Sequence, residues 1–354
     1  MQGVRFTAAG QFCIIKKAPD RDFRCFGYLQ EGCMKFWKMN GAGNDFILIN
    51  NIEEKLPAEV FPKLAATVCE RHLSIGADGF MVVDRPSEGV EADYRMLFYN
   101  SDGSVGEMCG NGARCICRYG YETGLAGERP VIETTAGIVT GERIDEELYR
   151  IRLNDPTHIE LEKEIKLDAK FDFWKRAAAE KGLDMCLDSG FSCRGSYILL
   201  GEPGSPHLIV EYKENVSALC GGEHLKDADE DLLRELGRAL RFNSALPKGA
   251  NVSFVEVTGD DKVFERTFER GVEDFTYACG TGTGSAVTAL TLLNKVSGNN
   301  VKVTMTGGDL YIDVEEIDEE DNGNVSVHGL YLTGPTNIAA MGEITDVNVK
   351  RLIG

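Results

Sequence analysis

Two short segments of the chain begin with a cysteine that is followed at once by glycines and a small polar residue. They are residues 109–114 (CGNGAR) and 279–284 (CGTGTG), and residues that can continue as a helix follow each of them. At a helix N-terminus, unpaired amide groups and the positive end of the macrodipole lower the pKa of a thiol and bind a carboxylate. Two copies, 170 positions apart (279 minus 109), predict two matching half-sites facing one small anionic substrate.

Paired half-sites of this kind suit an enzyme that removes a proton from one face of a carbon and returns one to the other face. A thiolate is a small, polarisable base, and two helix N-termini supply donors where negative charge develops on the substrate carboxylate. Bases on opposite faces allow inversion without rotation of the carbanion. The sequence shows no persuasive site for pyridoxal phosphate, so we expect no cofactor.

The composition excludes several classes of partner. At 354 residues the chain is long enough for two domains, and 43% hydrophobic and 27% charged residues are typical of a soluble globular protein. No apolar run approaches the roughly 18 residues of a membrane span. The formal net charge of −19 argues against nucleic acid or an anionic membrane as a partner, because both need a basic surface.

Eleven cysteines in a chain without a signal peptide favour reduced thiols and a cytoplasmic location. The spacing of Cys109, Cys115 and Cys117 could suggest a metal cluster, but alternate residues of a helix face apart, so we expect no metal site. The glycines at 280, 282 and 284 do not have the spacing of a dinucleotide-binding loop. The remaining cysteines are interpreted as packing residues.

Residues 1–33 differ from the rest because they have no clear hydrophobic period. Strand-like patterning begins abruptly at Met34. We interpret residues 1–33 as a disordered extension or a mis-assigned upstream start. A transit peptide is the alternative, although the serine enrichment of such peptides is weak here.

From Met34 onward the pattern predicts an α+β protein built from two similar halves. The first half has predicted strands at 35–39, 45–50, 79–84, 94–99 and 131–134 and helices at 58–71 and 112–122. The second has strands at 149–153, 197–200, 207–212, 250–258, 263–269, 301–305, 310–314 and 325–332 and helices at 229–241 and 285–294. We expect the site at the junction of the halves, a crossover at 155–156 and a surface insertion at 163–195.

Eight motifs then match one known family in their order along the chain. They are 34–46 (MKFWKMNGAGNDF), 76–79 (GADG), 99–104 (YNSDGS), 108–114 (MCGNGAR), 204–207 (GSPH), 251–254 (NVSF), 269–271 (ERG) and 278–282 (ACGTG). On these residues the chain resembles the diaminopimelate epimerases, which are cofactor-independent epimerases that use two cysteines. Any one motif would be weak evidence, but eight in order, spread over residues 34–354, make the match specific.

The resemblance implies two pseudo-symmetric α+β domains with the active site at their interface. Residues 34–152 with 335–354 would form the domain that carries Cys109, and residues 153–334 the domain that carries Cys279. It also implies interconversion of LL- and meso-2,6-diaminopimelate in the biosynthesis of lysine and peptidoglycan precursors. The substrate would be a small amino acid, no cofactor would be needed, and the protein would be a homodimer.

The resemblance also implies residue roles. Cys109 and Cys279 match the acid/base pair, one a thiolate and the other a thiol in each direction. Residues whose backbone would hold the carboxylate at the reacting carbon are Gly110, Asn111, Gly280 and Thr281. Polar residues that would grip the substrate, partly at its distal end, are Asn44, Asn100, Asn251 and Arg270. Groups that would contact the substrate amine or the thiols are Glu269 and His207.

Some positions depart from the family pattern and bear on the substrate. Ser205 stands where many members have Asn, and Gly79 stands where some have Gln. Ser74 replaces a usual glycine, and 275–276 (FT) replaces Glu-Thr. A related two-cysteine racemase acting on histidine or proline is therefore an alternative, which relative turnover of these substrates decides. A thiol redox or metal-binding protein is a further alternative, which a thiol titration and a metal assay decide.

Overall fold

Two helices with almost no exposed face lie at the centre of the fold. They span Gly110–Thr123 and Gly280–Leu292, and every residue of the second except Thr281 and Leu292 is buried. A helix that is buried on all sides has to be enclosed by other elements. Glycine, alanine, serine and threonine fill most of 280–291, and such small side chains let surrounding strands approach closely.

The computed structural model describes residues 34–106, 109–182, 190–202, 204–319 and 325–353, together with two short strands near the N-terminus. These strands, β1 (Arg5–Phe6) and β2 (Phe12–Cys13), pair with each other in antiparallel register. Residues 1–33 form a unit of their own, and residues 34–354 form the other. The rest of 1–33, and with it the interpretation of this segment as an extension, lies outside the described residues.

The first half of the larger unit contains strands and helices in the following order. They are β3 (Met34–Gly41), β4 (Asn44–Asn50), α1 (Asn51–Glu54), a 3₁₀ turn (Ala58–Val60), α2 (Phe61–Val68), β5 (Gly79–Asp84), β6 (Tyr94–Asn100), α3 (Gly110–Thr123), β7 (Val131–Thr134), β8 (Gly137–Arg143) and β9 (Leu148–Arg152). The predicted strands of this half are confirmed. The helix predicted at 58–71 is shorter, because His72 takes a left-handed conformation (φ 75°) and the N–H of Gly76 bonds back to the carbonyl of Val68.

The second half follows the same plan. Its elements are β10 (Pro156–Lys166), α4 (Phe173–Glu180), β11 (Ser192–Leu200), β12 (Ser205–Glu211), α5 (Tyr212–Asn215), α6 (Ser217–Cys220), a 3₁₀ turn (Leu225–Asp227), α7 (Glu230–Arg241), β13 (Asn251–Gly259), β14 (Lys262–Phe268), α8 (Gly280–Leu292), β15 (Val301–Met305), β16 (Gly308–Glu319) and β17 (Val325–Pro335). The last two elements of the chain are β18 (Asn337–Ile344) and α9 (Val347–Ile353). The predicted α7 is confirmed. Asp229 caps it by accepting a hydrogen bond from the Leu232 N–H over 3.1 Å.

The strand pairing shows that the two halves are repeats. The strands run in the order β10 to β17, then β9 back to β3, and finally β18. Counted inward from either end, the successive pairs are antiparallel, antiparallel, parallel, antiparallel, parallel, antiparallel and antiparallel. The halves join where β9 pairs with β17. The predicted α+β class with two similar domains is confirmed.

Strand β18 comes last in the sheet region of the chain but pairs with β3, the first strand of the larger unit. It occupies in the first half the place that β10 occupies in the second. The domain boundaries 34–152 with 335–354 and 153–334 remain a proposal, which this pairing supports. Each half-sheet curls around its own helix, because α3 contacts β3, β8 and β9 while α8 contacts β11, β12 and β17.

The prediction of a surface insertion at 163–195 is wrong for the part that the structure describes. Residues 163–166 pair with 192–195 in the β10–β11 ladder. Helix α4 buries Trp174 and Ala177 in the core cluster that also contains Leu208 and Phe254. The sequence pattern missed this because a helix of only eight residues shows little more than two turns of periodicity.

None of the helices in the described part of the chain is long and apolar enough to cross a membrane.

Because α4 belongs to the core, removing its aromatic anchor should destabilise the protein. Trp174 is 2% exposed, and we expect Trp174→Ala to lower the free energy of unfolding by about 3–5 kcal/mol in urea denaturation, from lost burial and a residual cavity. The exposed Arg176→Ala in the same helix should change it by less than about 0.5 kcal/mol. Equal effects of the two substitutions would restore the surface-insertion interpretation.

Candidate active site

The two cysteines occupy matching positions, each as the residue that caps a central helix. Cys109 precedes α3 with φ −121° and ψ 119°, and Cys279 precedes α8 with φ −121° and ψ 100°. In both cases the cysteine carbonyl accepts the first helical hydrogen bond over 2.8 Å, from Ala113 or Thr283. The predicted placement of both cysteines at helix N-termini is confirmed, and the helices begin directly after them.

The N-termini of α3 and α8 meet at two glycines. A Cβ atom on Gly280 would lie 3.5 Å from the Cα atom of Gly110 and 2.8 Å from Cδ2 of Leu332. A Cβ atom on Gly110 would lie 3.7 Å from the Cα atom of Gly280. At both positions the nearest atom to the added Cβ is Cδ2 of Leu332, so a side chain there would press on that leucine. The glycines therefore let two positive helix ends, and the amide groups of two first turns, converge on one point.

Each sulfur atom accepts hydrogen bonds from the helix that it caps. Backbone N–H groups of Asn111 and Gly112 donate to the sulfur of Cys109. The backbone N–H of Gly282 donates to the sulfur of Cys279, and the Thr281 hydroxyl lies 3.7 Å from it. Donors of this kind stabilise a thiolate more than a thiol. The site therefore contains groups that hold the anionic form of either cysteine.

Burial nevertheless raises the pKa of both thiols, which corrects the expectation that the helix termini lower them. The pKa of Cys109 is raised by desolvation and by Glu269, while the positive charge of Arg114 lowers it. The pKa of Cys279 is raised further by desolvation, Glu269 and Glu265. The electrostatic surroundings therefore favour the anion at Cys109 over the anion at Cys279.

Asn111 joins the two halves beside the cysteines. Its Nδ2 atom donates to Oδ1 of Asn44 over 2.6 Å and to the carbonyl of Ala278 over 3.2 Å. Its Oδ1 atom accepts from Nη2 of Arg114 over 2.9 Å. The side chain of this residue is therefore committed to structure, and its backbone N–H donates to the sulfur of Cys109.

Arg114 is a fully buried cation that the sequence analysis did not single out. It is 0% exposed, and besides Asn111 it donates only to the carbonyl of Gly110 over 3.3 Å among the described residues. Burial lowers the pKa of its guanidinium to about 10. A buried arginine without a carboxylate partner is costly. The available signal was a lone arginine within the apolar helix pattern of 113–117.

Asn44 is held in place by acidic residues of the first half. Its Nδ2 atom donates to Oδ2 of Asp78 over 3.2 Å. Asp78 in turn pairs with Arg71 over 2.8 Å, and Arg71 also pairs with Asp45 over 2.7 Å. Because Asn111 donates to Oδ1 of Asn44 on the other side, the orientation of the Asn44 amide is fixed.

The second half contributes Asn251, Glu269 and Arg270. The backbone N–H of Arg270 donates to Oδ1 of Asn251 over 2.7 Å, which links the two segments. Glu269 accepts from the Thr276 hydroxyl over 2.5 Å and also bonds to the side chain of Cys279, while burial raises its pKa. The Arg270 side chain is exposed and donates to the carbonyl of Lys248 over 3.4 Å.

His207 lies opposite Asn251 in the β12–β13 pair and is 0% exposed. Desolvation, followed by the positive charge of Arg270, lowers the pKa of its imidazole to about 3, so the ring is neutral. Neither ring nitrogen has a hydrogen-bond partner among the described residues. Ser205 begins the same strand two residues earlier and pairs with Leu200.

Asn100 forms its side-chain hydrogen bond within its own turn. Its Nδ2 atom donates to the Ser104 hydroxyl over 2.9 Å within its own turn at the end of β6. The residue is exposed, and no hydrogen bond joins it to another predicted site residue in the described ranges. In the β5–β6 pair it lies opposite Gly79, and its role at the site stays a prediction.

Two further features concern metals and missed residues. No group of three or more His, Cys, Asp or Glu side chains is arranged to hold a metal ion within the part of the chain that the structure describes. Cys115 and Cys117 are buried in α3, and burial raises the pKa of each to about 12.

Glu265, a buried glutamate of β14, is a second residue that the sequence analysis did not single out. Within β14 it has the spacing of an ordinary alternating residue.

The chain is similar in sequence to the diaminopimelate epimerases. The family model with the description "Diaminopimelate epimerase" matches residues 36–157 and 224–337. The diaminopimelate epimerase of Aquifex aeolicus is 34% identical over 292 residues, covering 80% of this chain and 91% of the relative. That of Halothermothrix orenii is 33% identical over 316 residues, covering 88% and 98%. That of Archaeoglobus fulgidus is 36% identical over 282 residues, covering 79% and 89%.

Solved structures show the same fold at low sequence identity. A hydroxyproline epimerase from Agrobacterium vitis with bound trans-4-hydroxy-L-proline aligns with a TM-score of 0.62 and 14% identity, covering 90% of this chain and 95% of that one. A probable proline racemase from Agrobacterium radiobacter aligns with a TM-score of 0.59 and 16% identity, covering 90% and 95%. These likenesses establish the fold alone.

The link through Asn111 leads to a stability prediction. Asn111→Ala removes the bonds to Asn44 and Ala278 and leaves the buried Arg114 guanidinium with one partner fewer. We expect the free energy of unfolding to fall by about 3 kcal/mol, because unsatisfied buried polar and charged groups carry their full desolvation cost. The exposed Asn100→Ala should change it by less than about 0.5 kcal/mol in the same urea titration. A loss at position 111 no larger than at position 100 would show that the link is not stabilising.

Proposed function

The chain belongs to the diaminopimelate epimerase family, and on that basis we propose that this isomerase interconverts LL- and meso-2,6-diaminopimelate. The observation that carries the proposal is the convergence of two cysteine-capped helix N-termini at Gly110 and Gly280. Relatives that bear the name of this activity match the chain at 33–36% identity over most of their length. The alternative substrates are histidine, proline and other amino acids with a single head.

The proposed reaction moves one proton at each face of the α-carbon. A thiolate removes the α-proton and becomes a thiol, and the opposite thiol gives its proton to the other face and becomes a thiolate. Arg114 favours the anion at Cys109, where Glu269 opposes it, whereas Glu269 and Glu265 both oppose the anion at Cys279. The anion is therefore less disfavoured at Cys109, so Cys109 would act as the base and Cys279 as the acid in one direction, with the roles reversed in the other.

The helix termini would stabilise the carbanion. Removing an α-proton places negative charge on the substrate carboxylate, and preorganised donors lower the barrier because they need no reorganisation. The backbone N–H groups of Gly110, Gly280 and Thr281 are in first helical turns, where no intrahelical acceptor exists. They would donate to the carboxylate while the N–H groups of Gly112 and Gly282 hold the two sulfur atoms.

The remaining polar groups would recognise the rest of the substrate. His207 lies beside Asn251 and offers two buried nitrogens that have no partner in the described part of the chain, and a neutral ring can donate from one and accept at the other. Arg270 has an exposed guanidinium that can reach a second carboxylate. Asn44, Asn100 and Ser205 would complete recognition of the distal head.

The wider setting of the enzyme is part of the same proposal. The active site would lie at the interface of the two domains, whose boundaries are 34–152 with 335–354 and 153–334. The protein would act as a homodimer in the cytoplasm, without a cofactor, and would supply precursors of lysine and peptidoglycan. The contact between Gly110 of one half and Gly280 of the other supports the interface placement.

The two-cysteine mechanism predicts that neither thiol is dispensable. Cys109→Ala and Cys279→Ala should each lower kcat for diaminopimelate epimerisation by at least about 10²–10⁴-fold, the contribution expected of a general acid or base. The assay is the conversion of LL- to meso-diaminopimelate by purified protein whose circular dichroism and melting temperature are checked.

Cys117→Ala is the matched control. Cys117 is buried in the interior of α3, whereas Cys109 caps the N-terminus of the same helix. It should keep kcat within about threefold of the wild-type value, in the range of an ordinary packing change (about 1 kcal/mol). Full epimerase activity in either Cys109→Ala or Cys279→Ala would rule out the proposed mechanism.

The proposed recognition of a second head predicts how selectivity changes. Arg270→Met should lower kcat/KM for diaminopimelate by about 10²-fold, because a charge-assisted hydrogen bond to the distal carboxylate is lost. Turnover of amino acids with one head should change little. The measurement is kcat/KM for diaminopimelate, histidine, proline and glutamate with the wild-type protein and the variant.

Ser205→Asn is the companion variant, because it restores the residue that many family members have at this position. It should retain activity and lower KM for diaminopimelate, since the longer amide reaches further than the hydroxyl. If histidine or proline is the preferred substrate of the wild-type protein, the related-racemase alternative replaces the proposal.

A further inference from the structure

A buried carboxyl group lies one side chain away from the backbone of Cys279. Glu265 in β14 is 0% exposed. The Thr283 hydroxyl donates to its Oε2 atom over 2.8 Å, and the Thr267 hydroxyl donates to its Oε1 atom over 3.0 Å. Within the described residues no lysine, arginine or histidine forms an ion pair with it. Its negative charge is therefore balanced by hydroxyl dipoles alone.

Thr283 connects this carboxyl group to Cys279. The Thr283 Oγ1 atom lies 2.9 Å from the carbonyl oxygen of Cys279 as well as 2.8 Å from Glu265. A hydroxyl has one proton, so it serves one of these acceptors at a time. When Glu265 is ionised, Thr283 donates to it. When Glu265 is protonated, the carboxyl group donates to Thr283, and the hydroxyl proton turns to the Cys279 carbonyl.

A second path of hydroxyl groups approaches the sulfur atom itself. Thr267 bonds to the hydroxyl of Ser253 over 2.9 Å. Ser253 and Cys279 both border Gly282, since a Cβ atom there would lie 3.1 Å from Ser253 Oγ and 3.2 Å from Cys279 Sγ. Thr283 thus links the carboxyl group to the backbone carbonyl of Cys279, and Thr267 and Ser253 extend from it to Gly282, which the Cys279 sulfur also borders. At such distances in a buried setting a full charge acts strongly.

The surrounding elements supply few other charges. Strand β14 and the residue after it contribute Glu269, whose charge raises the pKa of Glu265 and of Cys279, and Asp78 acts on Glu269. Strand β13 contributes only Ser253, β15 the neutral thioether of Met305, and α8 the cysteine and Thr283. Burial raises the pKa of Glu265 to about 7. This carboxyl group therefore changes its charge within the working range of a cytoplasmic enzyme.

We propose that Glu265 is a positioning residue that controls the ionisation of Cys279. Its negative charge adds to burial and to Glu269 in disfavouring the Cys279 thiolate, and its protonation removes that contribution. The role rests on the proposed function insofar as Cys279 is one of the two reacting groups. Glu265 itself does not contact the substrate, and no proton needs to pass through it. Epimerisation that begins with Cys279 as the base slows as Glu265 ionises.

The test is the pH dependence of Cys279 alkylation by iodoacetamide in the full-length protein, with peptide mass mapping to separate it from the other cysteines. The rate follows the thiolate fraction. In the wild-type protein the rate should rise with pH, form a shoulder just above pH 7 where ionising Glu265 opposes the thiolate, and then rise again. Glu265→Gln should remove the shoulder and raise the rate at pH 8 by about tenfold, equivalent to one pKa unit.

Glu256→Gln is the matched control. Glu256 is also buried, at 4% exposure, but it is paired with His224 over 2.7 Å and Lys213 over 2.9 Å. This substitution should leave the Cys279 profile unchanged. Thr283→Val removes a donor to the Glu265 carboxylate, which raises the pKa of Glu265, and should therefore move the shoulder to higher pH. If Glu265→Gln does not fold, the proposal is tested by the shoulder of the wild-type profile and by its shift in Thr283→Val.

Identical Cys279 profiles in the wild-type protein and Glu265→Gln would overturn the proposal, as would a wild-type profile with a single ionisation. The readout needs no substrate, so it is independent of the epimerase assignment. A shifted profile in a protein that does not turn over diaminopimelate would contradict only the proposed function. An unshifted profile in an active diaminopimelate epimerase would contradict only the role of Glu265.

Discussion

The contact between the N-termini of α3 and α8 is the feature on which the rest of the structure depends. Gly110 and Gly280 lie at the contact, and a side chain on either would press on Leu332. Asn111 holds it together by bonding to Asn44 on one side and to the carbonyl of Ala278 on the other. Two helix ends that would otherwise repel each other are kept side by side, so their unpaired amide groups face one small volume.

The energetic cost of this arrangement is visible in the charges buried around it. Arg114 has no carboxylate partner among the described residues, and Glu265 and Glu269 are held by hydroxyl groups rather than by cations. Burying such groups without an ion-pair partner costs folding free energy. Here Arg114 favours the anion at Cys109, Glu265 opposes it at Cys279, and Glu269 opposes it at both cysteines. Two thiols in equivalent surroundings would ionise equally, whereas here the surroundings favour the anion at Cys109 over the anion at Cys279.

Much of the fold could be predicted because local signals and the repeat agree. Alternating apolar residues located the strands, and the duplicated Cys-Gly segments located both central helices. The reverse is true of α4, whose two turns were too short to show a period although Trp174 is in the core. The cysteine positions were also predictable, but the direction of their pKa shift was not. It depends on burial by residues distant in sequence, among them Glu265 and Glu269, and Glu265 shows only the spacing of a strand residue.

The most direct test of the account is the position of deuterium after brief incubation of LL-diaminopimelate with the protein in deuterated water. If two cysteines act on opposite faces, the meso product formed in the first few per cent of reaction carries deuterium from the second thiol. The remaining LL substrate then still carries its original hydrogen. Meso product that keeps the original hydrogen would show that one base removes and returns the same proton, and that result would contradict the convergence of two reacting cysteines on one carbon.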